Sequence, residues 1–279
     1  MGAPAECPWR PLIVLFLGLA LVLALSLAGN ELIRRQRVYG ATRSLAIIHG
    51  PWTVEGEDGF AEGKGRVELS ARSVKEFTAG LSEEEHQGWR DTPRFTAKGF
   101  AFARLPAELR AELLEANLAA VPTEEAANAH LSGHILLSSI GGTALERRLV
   151  HHVGAALEAW TGQRHMDFIN SYGPRTYHRG ATLAAHGDRI RTHAVSAIVF
   201  VEAKGMQRPW ALQFVPNGAR DDERVRDVYL DEEANVLLYE STQPHGRVDP
   251  LEGDAFTALF MHWRPQGWHE LITDLIGAE

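Results

Sequence analysis

The residues best suited to chemistry in this chain are His186, Asp188 and His245. His186-Gly187-Asp188 places an imidazole and a carboxylate two positions apart, and in an extended strand such residues share a face. His245 follows a second apolar run and a turn. Two imidazoles and one carboxylate can hold one face of an octahedral Fe(II) and leave three positions open for other ligands. With thirteen histidines in the chain, a bare H-x-D triplet recurs by chance, and His165-Met166-Asp167 is a second example. That copy lacks the turn-rich approach of the first and is read as structural. His151 and His152 read as a helix-surface pair, since adjacent helical residues do not share a face, and His193 reads as structural.

The elements around the triad set how it can be positioned. Ala194–Val201 is a strand-like run directly after Asp188, and Val236–Tyr239 leads towards His245. Phe168-Ile169, Trp210–Val215 and Phe256–Trp263 are further short β runs separated by turns, a spacing that predicts an all-β sandwich or barrel. Trp210, Trp263 and Trp268 read as packing residues. Asp221-Asp222-Glu223 reads as a solvated hairpin tip, because the alternating ligands of a calcium loop are absent. Upstream, Pro106–Leu118 and Leu145–Trp160 carry apolar residues at helical spacing, the first with Pro at its start and the second with Gly162 as a stop. Residues 45–103 read as irregular and β-leaning, with strands at Leu45–Ile48 and Gly65–Leu69.

The chain has 279 residues and a net charge of −8. Such an acidic balance argues against a phosphate-neutralising surface, so no nucleic-acid partner is expected. The single cysteine, Cys7, precedes the apolar N-terminal run, which excludes disulfides and thiolate metal sites from the body. Leu12–Ala28 is uncharged and contains eight Leu, one Ile, two Val and one Phe. As a helix it spans roughly 26 Å at ~1.5 Å per residue, and its insertion is worth roughly −4 to −7 kcal/mol. Its length favours a retained single-pass anchor over a cleaved signal, for which Ser26-Leu27-Ala28 offers a site. Arg34, Arg35 and Arg37 pull the body towards the cytoplasm, whereas an N-terminal anchor usually accompanies a lumenal body, so the side of the membrane stays open. The expected organisation is an anchor or signal over 1–28, a basic tether over 29–44, strands and buttressing helices over 45–165, and a metal-bearing β core over 166–279.

Tyr177, Gly180, Leu183, His186 and Asp188 form the pattern Y-x-x-G-x-x-L-x-x-H-x-D, followed by an apolar strand and a distal histidine. With Tyr172-Gly173-Pro174-Arg175-Thr176-Tyr177 and with Val248, Pro250, Leu251 and Gly253, this pattern resembles the prolyl-4-hydroxylase-like branch of the Fe(II)/2-oxoglutarate dioxygenase superfamily, over about residues 168–265. The resemblance implies a mainly β fold with supporting helices around a double-stranded β-helix (jelly roll). It implies His186, Asp188 and His245 as iron ligands, 2-oxoglutarate as cosubstrate with O2, ascorbate as an optional addition, and a peptide or small-molecule substrate.

One departure stands out. The family usually places Lys or Arg about ten residues after the distal histidine, and here that stretch is Asp254-Ala255-Phe256-Thr257. A dicarboxylate buried without a cation costs several kcal/mol. Arg247, in phase with His245, is the first replacement, His262 the second, and Thr257 a hydrogen-bond donor; Tyr177 is a further pocket candidate. The competing assignments are a rim salt bridge of Arg247 with Asp249 or Glu240, and a core role for His262 and Tyr177. The missing cation also leaves open a jelly-roll binding or scaffold protein without 2-oxoglutarate turnover. A cupin-like metal enzyme fits the ligand spacing less well.

Overall fold

The structure, a computed structural model, describes residues 65–276. The predicted Leu12–Ala28 anchor, the tether and the Leu45–Ile48 strand lie outside the described residues. Among the described residues no helix is long and apolar enough to cross a membrane.

Among the described residues, thirteen strands form two antiparallel sheets. The strands are β1 (Arg66–Ser73), β2 (Phe100–Ala103), β3 (Thr123–Glu124), β4 (Leu131–Ser132), β5 (Ile135–Leu137), β6 (Met166–His178), β7 (Thr182–His186), β8 (Val195–Lys204), β9 (Leu212–Phe214), β10 (Arg224–Tyr229), β11 (Val236–Glu240), β12 (His245–Arg247) and β13 (Ala255–Pro265). The smaller sheet runs β1-β10-β9-β12-β7-β4 and the larger β2-β11-β8-β13-β6-β5-β3. From β6 to β9 the chain alternates between the two sheets, and it does so again from β10 to β13.

The sequence of the larger sheet explains its two faces. Along β8, Val195, Ala197, Val199 and Val201 pack outward with Leu109, Leu113, Leu149, Val153 and Leu157. The alternate residues Ile198 and Phe200 pack inward with Leu183, Leu212 and Phe214 of the smaller sheet. β11 repeats this, with Val236 and Leu238 outward and Leu237 and Tyr239 inward. Strands buried on both faces read as near-continuous apolar runs, which is why they are visible in the sequence. The outer face is covered by α3 (Ala107–Ala119) and α4 (Ala144–Thr161). α4 ends where Gly162 takes φ 68°, the left-handed conformation that closes a helix without a Cβ penalty.

Residues 74–91 correct the β-leaning expectation. They form two short helices, α1 (Val74–Thr78) and α2 (Glu83–Asp91). Each opens with a reciprocal capping box, Ser73 with Glu76 and Ser82 with Glu85, which satisfies N–H groups left free in the first turn. A last helix, α5 (Trp268–Ile276), packs Trp268 and Ile272 with Ile190 and Ala194.

Candidate metal centre

β7 and β12 are neighbours in the smaller sheet, and His186 and His245 are direct cross-strand partners. The pairing slips between His245 and Arg247, which faces Leu183. At Gly246 the two strands are close enough that an added Cβ would lie 2.8 Å from the Ala184 carbonyl oxygen and 2.9 Å from that of Leu183. Glycine is therefore required there for steric reasons. Asp188 lies just past β7, and its backbone N–H donates to the Ser241 carbonyl at 2.9 Å.

The three side chains converge. The His186 and His245 rings are 4.4 Å apart between centroids. Asp188 Oδ1 lies 4.0 Å from His186 Nε2 and 3.9 Å from His245 Nε2. Each imidazole faces a backbone carbonyl through Nδ1, His186 with Ala184 at 2.9 Å and His245 with Gln243 at 2.8 Å. A carbonyl can only accept, so Nδ1 carries a proton in both rings and Nε2 is the nitrogen turned towards Asp188. This is the tautomer a metal ligand needs. Burial, reinforced by His245, lowers the His186 pKa to about 4 against the pull of Asp188, so the ring is neutral near pH 7. Burial alone would raise the Asp188 carboxyl, but His245, His262 and His186 together hold it at about 2.

These donors fit a divalent cation. Ligand atoms of all three residues lie within 4.8 Å of one another, the one such group among the described residues. Bonds of about 2.1 Å at right angles separate donors by about 3 Å, so binding would draw the side chains inward by about 1 Å. Two imidazoles and a carboxylate match Fe(II) with open positions.

Beside the donors is a small cavity of about 150 Å³, lined by Arg175, Leu212, Arg247, Phe260 and His262 among others. A wider groove of about 670 Å³ passes Ser82, Glu85, His130 and Gly187 on the outside. Asp188 borders both spaces, and the His130 ring lies 5.1 Å from that of His186.

The cosubstrate candidates separate clearly. Arg247 lies in the cavity wall, only 2% exposed. Its guanidinium carbon is 4.6 Å from the Trp210 ring centre and 4.3 Å from that of Phe256. Nη1 donates to the Trp210 carbonyl, and Nη2 is buried with no partner among the described residues. The competing rim salt bridge is not formed. Asp249 is engaged by Arg72 at 2.7 and 2.9 Å, and Glu240 accepts from Thr96 and Asn217.

His262 also lines the cavity but stands at the Asp188 end. Its Nδ1 is 2.7 Å from Ser196 Oγ and 3.8 Å from Asp188 Oδ2. Thr257 corrects an expectation: it does not line the cavity, and its hydroxyl pairs with that of Thr176 at 2.9 Å. Tyr177 is also not a lining residue. It is fully buried against Trp210, and its hydroxyl accepts from Arg175 Nη1 at 3.1 Å. His165, with φ 59°, sits at a bend before β6 and is not one of the converging ligands.

Sequence reasoning missed three contributors. Arg175 lines the cavity while held by Glu125 through bonds of 2.7 and 2.8 Å; its two-residue offset from Tyr177 was the available signal. Tyr239 and Ser196 reach Asp188 Oδ2 at 3.0 and 3.4 Å. Only their inward phase on β11 and β8 marked them.

Comparison with known proteins places the chain beside several solved structures. It is similar to HygX from Streptomyces hygroscopicus, in a structure with nickel, 2-oxoglutarate and hygromycin B bound, at 13% identity over 61% of this chain and 84% of that chain, with a TM-score of 0.46. A Pseudomonas putida prolyl-4-hydroxylase is similar at 17% identity over 61% and 94% of the two chains, with a TM-score of 0.43. A Trichoplax adhaerens prolyl hydroxylase, in complex with a hypoxia inducible factor oxygen degradation domain peptide fragment, is similar at 15% identity over 62% and 86%, with a TM-score of 0.42. No family model and no curated protein sequence matches the chain. The functional reading therefore rests on the donor geometry and the cavity beside it.

Proposed function

We propose that the chain is a non-haem Fe(II)- and 2-oxoglutarate-dependent dioxygenase built on a double-stranded β-helix. Its substrate is a protein side chain, in the manner of a prolyl hydroxylase, or a small molecule. The observation that carries this reading is the convergence of His186 Nε2, Asp188 Oδ1 and His245 Nε2 beside a cavity that contains an uncompensated guanidinium.

His186, Asp188 and His245 would hold the iron, which when bound supplies the redox chemistry that couples oxygen activation to conversion of 2-oxoglutarate into succinate and carbon dioxide. The protein's own contributions follow from the site. The Ala184 and Gln243 carbonyls fix both imidazoles in the ligating tautomer. Arg247 takes the distal carboxylate of 2-oxoglutarate, in place of the basic residue absent near Ala255. The faces of Trp210 and Phe256 keep water from that ion pair, which strengthens it. The groove past His130 and Gly187 receives the substrate on the other side of Asp188. Residues 12–28 tether the enzyme to a membrane as a single-pass anchor.

The test is metal content together with cosubstrate turnover, on protein purified without a histidine tag. Wild-type protein is expected to bind one equivalent of Fe(II) and to form succinate slowly without substrate. Asp188→Ala is expected to lose both. Normal turnover by Asp188→Ala rejects this site.

A further inference from the structure

The two oxygens of Asp188 have different surroundings. Oδ1 faces both imidazole Nε2 atoms. Oδ2 faces the larger sheet, where the Tyr239 hydroxyl donates to it at 3.0 Å and Ser196 Oγ stands at 3.4 Å. Tyr239 is only 1% exposed, and β11 is paired on both sides by β2 and β8. Its ring packs edge-on against His245 at 4.8 Å and Phe214 at 6.3 Å. Ser196 Oγ is itself tied to Ser241 Oγ at 2.6 Å and His262 Nδ1 at 2.7 Å.

A carboxylate beside a divalent cation can turn about its last torsion, which is soft, and ligate through both oxygens. That would occupy one of the three positions an oxygenase must leave open.

We propose that Tyr239 is the positioning residue of the metal centre: by holding Oδ2 it confines Asp188 to ligation through Oδ1 alone. Ser196, the cross-strand neighbour of Tyr239, assists at the same oxygen. The inference rests on the metal reading above and adds to it the group that sets the coordination number.

The experiment uses Co(II) as the probe, with the full chain in detergent. Three proteins are compared: wild type, Tyr239→Phe and Ser196→Ala. Three quantities are read: Co(II) affinity by chelator competition, the visible Co(II) spectrum, and thermal unfolding of the metal-free protein. Tyr239→Phe removes one oxygen and keeps the ring. It is expected to weaken Co(II) binding by about 10- to 100-fold, the usual effect of losing an outer-shell partner. It is also expected to change the Co(II) band pattern, while metal-free unfolding shifts by only a few degrees. Ser196→Ala is expected to act in the same direction by less.

Wild-type Co(II) binding with an unchanged affinity and spectrum in Tyr239→Phe overturns the inference and leaves the metal reading standing. Failure of the wild type to bind Co(II) overturns both. If Tyr239→Phe does not fold, Ser196→Ala decides, and an affinity and spectrum equal to wild type reject the proposal.

Discussion

Replacing Arg247 by Met separates a cosubstrate role from a structural one, because the two roles predict opposite changes in stability. Met keeps an apolar stem between Trp210 and Phe256 and removes the charge. In the protein alone, burial lowers the Arg247 pKa to about 10, well below the usual guanidinium range. At about 1.4 kcal/mol per pKa unit this is a penalty of about 3 kcal/mol on the charged form. The folded-state pKa is depressed, so the penalty is present in full at every pH below about 10 and fades only above it. Losing the bond to the Trp210 carbonyl leaves a buried acceptor unpaired, at a cost of about 1–2 kcal/mol. The variant should therefore be as stable as the wild type at pH 7, or more stable by up to about 2 kcal/mol. Cosubstrate binding should move the other way. Charge-assisted hydrogen bonds contribute about 1.5–3 kcal/mol each, and a loss of about 3 kcal/mol weakens 2-oxoglutarate binding roughly 100-fold. Anaerobic titration of the Fe(II) protein, followed by its visible charge-transfer band, measures the second effect. Thermal unfolding with and without 2-oxoglutarate measures the first. Unchanged 2-oxoglutarate affinity in Arg247→Met, or a variant well below wild type in stability, excludes a cosubstrate role for Arg247.

Two further outcomes follow from the same geometry. Gly246→Ala drives a methyl group into the Ala184 and Leu183 carbonyls, so it should part β12 from β7 and destabilise the protein by roughly 1–3 kcal/mol, the usual cost of overpacking. Fe(II) affinity should fall with it, and denaturant unfolding plus metal analysis checks both. Glu240 is raised above the usual carboxylate range by burial, against hydrogen bonds from Thr96 and Asn217. It therefore costs stability as pH rises from its unfolded-state pKa, about 4.3, through its folded one. Glu240→Gln should gain on the wild type between pH 4 and pH 7 in thermal unfolding, and a pH-independent difference contradicts the assignment.

Much of the site was legible because its positions obey strand arithmetic. His186 and Asp188 are two apart at the end of a strand, and His245 and Arg247 are two apart on the facing one, so a shared face follows from spacing, whereas the slipped pairing of Arg247 with Leu183 does not. β8, β11 and β13 were legible because both faces are buried, and α3 and α4 because their apolar residues recur at helical spacing. The remainder was hidden for identifiable reasons. α2 reads Glu-Glu-Glu-His-Gln-Gly-Trp-Arg-Asp and buries only Gly88 and Trp89, too few for a periodic signal, and only the capping box announces it. β10 buries Val225 and Val228, three apart, which breaks the alternation expected of a strand. Thr257 was misplaced because a strand's sequence does not state which alternate set faces inward. In β13 the inward set is Phe256, Ala258, Phe260 and His262, whereas Leu259, Met261 and Trp263 face the helices. Arg175, Ser196 and Tyr239 could not be assigned by residue type, because their partners come from other strands.

The pairing of β7 with β12 also has a consequence for biogenesis. The ligands on the two sides are separated in sequence by all of β8 to β11, so His245 meets His186 only when that long segment is looped back. Long-range pairings of this kind carry a loop-closure cost and are slow to form. A chain emerging from the ribosome would carry the first two donors long before the third, and a two-donor half-site grips a cation weakly. Capture of a redox-active ion would then be deferred until the barrel has closed, which shields an immature polypeptide from oxidative damage.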